Sequence, residues 1–348
     1  MNPNDQSWTG SLTDAYAHIG LPKYGSLQDV GRFFARLRIQ QGVLVLGPGI
    51  PDLYSLMLAH QYFGENVRSM GIPFGVTKTQ RLELGELQMQ LGVSGLRIMP
   101  AELAENPVLL ERLGQAGLWL FAINPFDSAQ TVRLLLDWLE RHPSGKVASP
   151  HFLRPRPLAQ MLAERNIEQT LGYALLQHPR YHAIFSRQGG VGSGEVYPHP
   201  NLRPWVEQIA EQTTWQRILW GSEFPIIYQR NEQPEAARDW LLKLGVPISA
   251  QDAADFYTNN AQRLFFADPP PQPEIAWHEI SMPAWVQPQI DQQATVYLFP
   301  TNQIFIPMQD HATLLSRYLE LTQAEPTLGY AEFIARELSM RAEQIRGG

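Results

Sequence analysis

Short apolar runs alternate along the chain with longer stretches whose apolar positions recur at helical spacing. The first clear run is Gly42-Val43-Leu44-Val45-Leu46-Gly47, closed by Pro48 and Gly49. A helical pattern over 52–63 leads to a strand-like stretch at 67–76, with Gly71 read as a turn. Strand patterns then follow at 93–99, 118–123, 146–149, 181–185 and 217–221. Between them lie helical patterns at 82–91, 107–116, 129–141, 157–178 and 201–213. With a first strand near 12–17, this makes about eight strands. Strands this short and apolar, separated by helices, describe a parallel sheet covered by helices. The expected fold class is α/β, a (β/α)8 TIM barrel over residues 1–267. A barrel of roughly 250 residues plus an appendage accounts for a 348-residue chain. The competing reading, an open doubly wound sheet binding a nucleotide, lacks a Gly-x-Gly-x-x-Gly at a strand-to-helix turn. The glycine-rich stretch 189–194 has no such frame and reads as a βα loop.

The texture changes at Asp268-Pro269-Pro270-Pro271-Gln272-Pro273, which reads as a stiff extended linker. Beyond it, 294–299 and 303–307 have strand character and are joined by Pro300-Thr301-Asn302 as a hairpin. Helical patterns cover 309–321 and 328–345. Residues 268–348 therefore form a small C-terminal α+β appendage in this reading, serving as an arm for a homodimer or as a lid.

Composition narrows the function. With 44% hydrophobic and 18% charged residues, the chain can build a large core. The net charge of -7 comes from dispersed acids and there is no basic run, which argues against nucleic acid as a partner. The absence of cysteine removes disulfides, thiolate metal sites and a cysteine nucleophile. A polar N-terminus and the lack of any long apolar run lead to the expectation of a cytoplasmic protein with no membrane association.

Barrel chemistry sits where strands end. The polar residues at those positions are Tyr16 and His18 after strand 1, Arg97 on strand 4, Asn124 after strand 5, His151 after strand 6, Ser186 after strand 7 and Glu223 after strand 8. His199, in the proline-fixed stretch Tyr197-Pro198-His199-Pro200, falls on the rim as well. Each has a plain alternative. His18 can be a core histidine satisfied by Asp14, His151 a helix cap, Arg97 the partner of Glu102 or Glu83, and Tyr16 a core filler. His182 reads as core, Asp14 as support for strand 1, and Ser222 as a turn former, since no Gly-x-Ser-x-Gly surrounds it. Glu223 resists dismissal, because a carboxylate in a tight turn after a buried strand is costly without a purpose. Trp277 and Trp285 are read as covering a pocket or a partner surface.

Five segments, in order, resemble the amidohydrolase superfamily, specifically its amidohydrolase 2 branch. Asp14-Ala15-Tyr16-Ala17-His18 is similar to an Asp-x-His-x-His opening, and Gly95-Leu96-Arg97-Ile98-Met99-Pro100 to the fourth strand. Pro150-His151-Phe152-Leu153-Arg154-Pro155 resembles an Asp-His-x-Gly-x-Pro stretch. Arg217 through Pro225 is close to Arg-x-x-x-Gly-Ser-Asp-x-Pro, and Tyr257 through Phe265 to the closing Asn-Ala-x-Arg-Leu-Phe helix. The resemblance spans roughly residues 10–267. It implies a hydrolase or decarboxylase, the branch including lactonases such as 2-pyrone-4,6-dicarboxylate hydrolase. Metal-dependent members bind zinc or manganese through strand-1 histidines, further histidines and a strand-8 aspartate. Here the first histidine position is Tyr16, the strand-5 histidine position is Asn124 and the aspartate position is Glu223, so the metal site is degenerate.

Three functions follow as expectations. The first is a metal-independent hydrolase of a small carboxylated lactone, ester or amide. In it Glu223 is the general base, Arg97 binds a substrate carboxylate, His18 or His151 polarises the scissile carbonyl, Tyr16 adds a hydrogen bond, Asn124 holds the substrate, and His199 reaches it from the rim. The second is a metal-dependent hydrolase or decarboxylase with one divalent ion such as zinc on His18, His151 and Glu223, a fourth position remaining open. The third is a diverged barrel that catalyses a cyclisation or isomerisation, or only binds ligand.

Overall fold

The computed structural model describes residues 7–21, 24–47, 52–151, 158–186, 197–230, 232–274, 283–285, 296–298, 302–304, 311–330 and 332–337. Eight strands, β1 (Leu12–Ile19), β2 (Ile39–Leu46), β3 (Val67–Gly71), β4 (Gly95–Ile98), β5 (Trp119–Ala122), β6 (Lys146–Ser149), β7 (Tyr181–Phe185) and β8 (Ile218–Trp220), lie side by side in chain order. Every neighbouring pair is parallel. Helices intervene between consecutive strands, so the architecture is a (β/α)8 barrel.

The ring closes at its two functional strands. Just beyond β8, the Glu223 N–H donates to the Tyr16 carbonyl (2.8 Å), and the His18 N–H donates to the Phe224 carbonyl (2.6 Å). The seam is braced from within by Asp14. Its carboxylate accepts the Ser222 N–H (3.0 Å), the Tyr16 N–H (3.0 Å) and the Ser222 hydroxyl. Gly221 is required at this closure: a Cβ there would meet the Tyr16 Cβ and the Ile184 Cγ2 at 2.9 Å.

Strand alternation sorts the side chains. Val43 and Val45 join the cluster inside the barrel with Tyr16, Met70, Phe121, Ala148, Ile184 and Leu219, and Phe265 joins it. Leu44, Leu46, Leu96, Ile98, Leu120 and Ala122 pack outward against the helices. Arg97 falls between Leu96 and Ile98 and so points inward. A register shift in β1 between Asp14 and Ala17 allows both Ala15 and Tyr16 to reach the inner cluster.

Several sequence readings are adjusted. A helix at Leu27–Leu37, opened by a Ser26–Asp29 capping box, lies between β1 and β2 and was not expected. Its inward positions Val30, Phe33, Phe34 and Leu37 follow the helical spacing that the sequence reading overlooked. The expected single helix at 157–178 is two, Leu158–Glu164 and Gln169–Gln177, broken where Asn166 takes a left-handed φ of 53°. Gly71 ends a buried strand and is no turn: a Cβ there would strike the Gln88 Oε1 at 2.3 Å. The glycine-rich stretch 189–194, Lys23, Arg154, Arg187 and Trp277 lie outside the described residues.

After the barrel, Val296–Leu298 and Asn302–Ile304 form an antiparallel pair; the turn expected between them lies outside the described residues. The helix His311–Ala324 packs on the Leu27–Leu37 helix of the same chain. Ser316 donates to the buried Asp29, and Arg32 reaches Glu320 at 3.3 Å. Trp285 donates to Glu83 (3.2 Å) and stacks on Phe74. Among the described residues no helix is long and apolar enough to cross a membrane.

Candidate active site

Three of the sequence-derived candidates converge. His18, His151 and Glu223 are all buried, and one ligating atom from each lies within 4.8 Å of the others. The backbone that presents two of them is unusual. His151 has φ 59° and Glu223 φ 56°, in the left-handed region that non-glycine residues rarely adopt. Asn124 (φ 49°) and His199 (φ 65°) share it. Four of the seven described non-glycine residues with positive φ are thus candidates read from the sequence. Strain at the ends of barrel strands is the usual mark of side chains being aimed rather than merely packed.

Each member is held by a different element. His18 Nδ1 is 3.2 Å from the Val45 carbonyl on β2. A carbonyl oxygen only accepts, so Nδ1 carries the proton and Nε2 is left as a lone pair. Burial, and then the nearby Arg97 charge, hold the His18 pKa well below its ordinary value. The ring is therefore neutral. Tyr24 stacks on it at 4.6 Å, and Tyr16 stands edge-on to it at 4.9 Å. Tyr16 is also edge-on to His151 at 4.9 Å, so one phenol ring packs against both imidazoles. Asp14 does not serve His18 at all; it holds Ser222 and Tyr16, as the reading of Ser222 as a turn former anticipated.

His151 is pinned by Ser186 at the end of β7. The hydroxyl accepts the His151 N–H at 3.1 Å and lies 3.0 Å from Nδ1. On the other side, Nε2 is 3.3 Å from the Glu223 Oε1. The contact lacks hydrogen-bond geometry, and a proton on Nε2, with the Ser186 hydroxyl donating to Nδ1, is the tautomer that avoids turning a ring lone pair toward the carboxylate. His151 is no helix cap.

Glu223 is held by a residue that sequence reasoning missed. Arg230 Nη1 is 2.7 Å from the Glu223 Oε2, and Arg230 Nε is 2.6 Å from Glu232. Glu223 is fully buried and the Arg230 side chain is only 4% exposed. Burial alone would lower the Arg230 pKa, but the Glu223 and Glu232 carboxylates overcome it and raise it. The available signal was an arginine one turn beyond Ile226-Ile227-Tyr228, close enough in sequence to fold back onto the strand-8 turn.

Arg97 has a different character. It is buried, and neither of its expected partners binds it. Glu102 takes Arg81 (2.6 Å) and Asn106 (2.7 Å), and Glu83 takes Trp285. Among the described residues, its Nε and Nη1 are buried with no hydrogen-bond partner. A buried guanidinium without a counter-ion is costly unless a ligand supplies the anion.

Asn124 is exposed at the end of β5 and its carbonyl accepts the Asp127 N–H (2.9 Å). His199 is buried, opens the short helix Pro200–Leu202 and stands edge-on to Tyr197 at 6.1 Å. His182 is core as expected: burial takes its pKa down to about 3, and it packs 5.5 Å from Trp119.

Two imidazoles and a carboxylate form a donor set that fits a divalent ion. Ligands on one zinc stand about 3.4 Å apart, so side-chain movement of about an ångström would suffice. The neutral His18 with its second nitrogen bonded to a carbonyl is the arrangement that histidine ligands adopt. Two guanidinium groups beside the donors oppose the fit in charge.

Residues 50–267 match the family model described as Amidohydrolase. A search of curated proteins finds no match. Among solved structures, a Pseudomonas putida protein named as a 2-pyrone-4,6-dicarboxylic acid hydrolase is 21% identical with a TM-score of 0.54, over 73% of this chain and 97% of that one. An Agrobacterium tumefaciens protein in its apo form is 20% identical with a TM-score of 0.55, over 77% and 97%. A Burkholderia multivorans amidohydrolase with bound zinc is 11% identical with a TM-score of 0.55, over 73% and 98%. At these identities the likeness is one of fold.

Proposed function

The chain belongs to the amidohydrolase family, and from that premise we propose that it is a metal-independent hydrolase of a small carboxylated lactone, ester or amide. The observation that carries the reading is Arg97, a buried cation with two unpaired donors beside a carboxylate and two imidazoles. Arg230 is committed to Glu223 and Glu232, whereas among the described residues Arg97 Nε and Nη1 are bonded to nothing. A substrate carboxylate on Arg97 would fill those donors and orient the adjacent carbonyl.

The chemistry follows from donors and acceptors. Glu223 Oε1 and His18 Nε2 are both acceptors, so a water between them donates both protons and points its lone pair at the carbonyl carbon. As the water oxygen bonds to that carbon, Glu223 takes one proton. The C=O electron pair moves to oxygen, and the His151 Nε2–H donates to it. Collapse expels the alkoxide or amine, which takes the proton back from Glu223. In this scheme His18 accepts a hydrogen bond and polarises nothing, because its ring is neutral with the proton on the far nitrogen. That task passes to His151. Tyr16 packs edge-on against both rings. Were a divalent ion to bind, His18, His151 and Glu223 would hold it, and it would supply a Lewis acid for the carbonyl and a more acidic water.

The test is hydrolysis of a panel of small carboxylated lactones, esters and amides by wild-type protein and Glu223→Gln, with and without chelator. Turnover that survives chelation and disappears in Glu223→Gln supports the reading. Loss of turnover on chelation, with recovery on adding zinc, would replace it by the metal-dependent one.

A further inference from the structure

We infer that Arg230 is a positioning residue that occupies the electrostatic place of a metal ion: it holds Glu223 by one oxygen and keeps divalent cations off the His18–His151–Glu223 donors. The donors are close enough for one ion, yet one carboxylate oxygen is already bound to a fixed cation at 2.7 Å. An ion arriving at Glu223 would have to share the carboxylate with a guanidinium that is itself buried and anchored at its other edge to Glu232. Two positive charges on one carboxylate in a water-poor pocket repel strongly, since screening there is weak. Arg230 cannot swing out without abandoning Glu232 and exposing Glu223 uncompensated.

The same contact sets geometry. With Oε2 fixed by Nη1, the carboxylate cannot rotate, and Oε1 is left directed at the His151 Nε2. A carboxylate clamped in this way presents one basic oxygen to the pocket, which suits proton abstraction better than bidentate ligation. Among the described residues Nη2 of Arg230 is buried with no hydrogen-bond partner, so the two carboxylate contacts are what hold the guanidinium in place. The sequence position matters as well. Arg230 caps the C-terminus of the short helix Ile226–Gln229 that follows the strand-8 turn, so the residue that replaces the ion is delivered by the same turn that delivers the carboxylate. The inference rests on the reading of Glu223 as the working carboxylate.

The experiment measures zinc binding by calorimetry on full-length wild-type protein, Arg230→Gln, Arg230→Lys and the double variant Arg230→Gln/His18→Ala. The expected result is at least tenfold tighter zinc binding by Arg230→Gln than by wild type. Arg230→Lys, which keeps the charge, stays within about threefold of wild type, and the double variant loses the gain. Because Arg230→Gln leaves a buried carboxylate exposed to strain, its melting temperature is read with and without zinc: zinc should raise it while leaving the wild-type value unchanged. Equal zinc affinity in wild type and Arg230→Gln, together with no zinc-dependent rise in melting, would overturn the inference. Stoichiometric metal in the wild type as purified, required for turnover, would instead overturn the metal-independent function. The ratio of affinities between the variants would still decide the role of Arg230.

Discussion

Arg230 Nη1 stands 2.7 Å from the Glu223 Oε2, seven residues along the chain and inside the barrel mouth. This ion pair makes Glu223 tolerable as a buried group, because burying a charge is costly unless it is paired and hydrogen-bonded. It also separates two consequences of changing the carboxylate. Glu223→Gln is isosteric, so the strand-8 turn and its bond to the Tyr16 carbonyl should survive. The amide cannot take a proton from water, and kcat should fall by about 10²–10⁴-fold. Arg230 loses one charged partner and keeps Glu232, so the stability cost should be about 1–3 kcal/mol. Steady-state kinetics and urea unfolding measure the two. A variant that retains kcat while losing stability would make Glu223 purely structural.

Arg97 should behave in the opposite way. It is a buried cation with unpaired donors, so removing it relieves a penalty. Arg97→Met is expected to leave stability unchanged or raise it, by about 1–3 kcal/mol. Without the guanidinium, a substrate carboxylate loses its bidentate partner, and KM should rise at least about 30-fold, the equivalent of roughly 2 kcal/mol for a charge-assisted bond. Urea unfolding and KM together form the check. If Arg97→Met is strongly destabilised, the guanidinium has a structural partner and the anion-binding role falls.

The barrel and its strand ends were legible in the sequence because buried parallel strands are nearly all apolar. A polar residue such as Arg97 or His151 therefore stands out against Leu96 and Ile98, or against Val147 and Ala148. What pins those residues was not legible. Ser186 was noticed only as the end of β7, because nothing in the chain says that its hydroxyl meets a histidine 35 positions earlier. Tyr24 over His18 depends on the turn after β1 folding back through the Gly20–Gly25 bridge. Arg230 was hidden for a different reason: arginines in helices are commonplace, and only the strained turn at Glu223 brings this one inward. Asn124 is a different case: the strand end was legible and its backbone is left-handed, but the side chain is exposed, so the contacts around it say nothing of its part in the site.

The Ser186–His151 contact gives a narrower prediction. If the hydroxyl donates to Nδ1 and so keeps the proton on Nε2, then Ser186→Ala loosens the ring and permits the other tautomer. The expected effect is a fall in kcat of about 5-fold with KM unchanged, since one neutral hydrogen bond is worth about 1 kcal/mol. Ser186→Thr keeps the hydroxyl and should recover most of the loss. Proton-coupled nitrogen NMR of the His151 ring reads the tautomer directly, and an unchanged ring with the proton on Nε2 in Ser186→Ala would refute this account.

Asp14 sets a pH dependence of stability. Burial raises its pKa to about 6 from an ordinary 3.8, against the lowering effect of the bonds donated by Ser222 and Tyr16. In the unfolded chain the carboxyl titrates near 3.8, so the folded state holds the proton more tightly. The stability contributed by the protonated form is therefore fully present below pH 3.8 and is lost as the pH rises through about 6. Across that window the loss is about 3 kcal/mol, since each pKa unit is worth about 1.4 kcal/mol. Asp14→Asn carries no titrating proton and keeps an oxygen for the Ser222 and Tyr16 amides. The difference in melting temperature between wild type and Asp14→Asn should therefore shift by about 5 °C between pH 4 and 6.5, in favour of the variant at the higher pH. Comparing the two proteins at each pH cancels the other carboxylates, which titrate in both. A difference that stays constant over the window would mean that Asp14 is ionised throughout, and that the β1–β8 seam is closed by a charge rather than by a neutral acid.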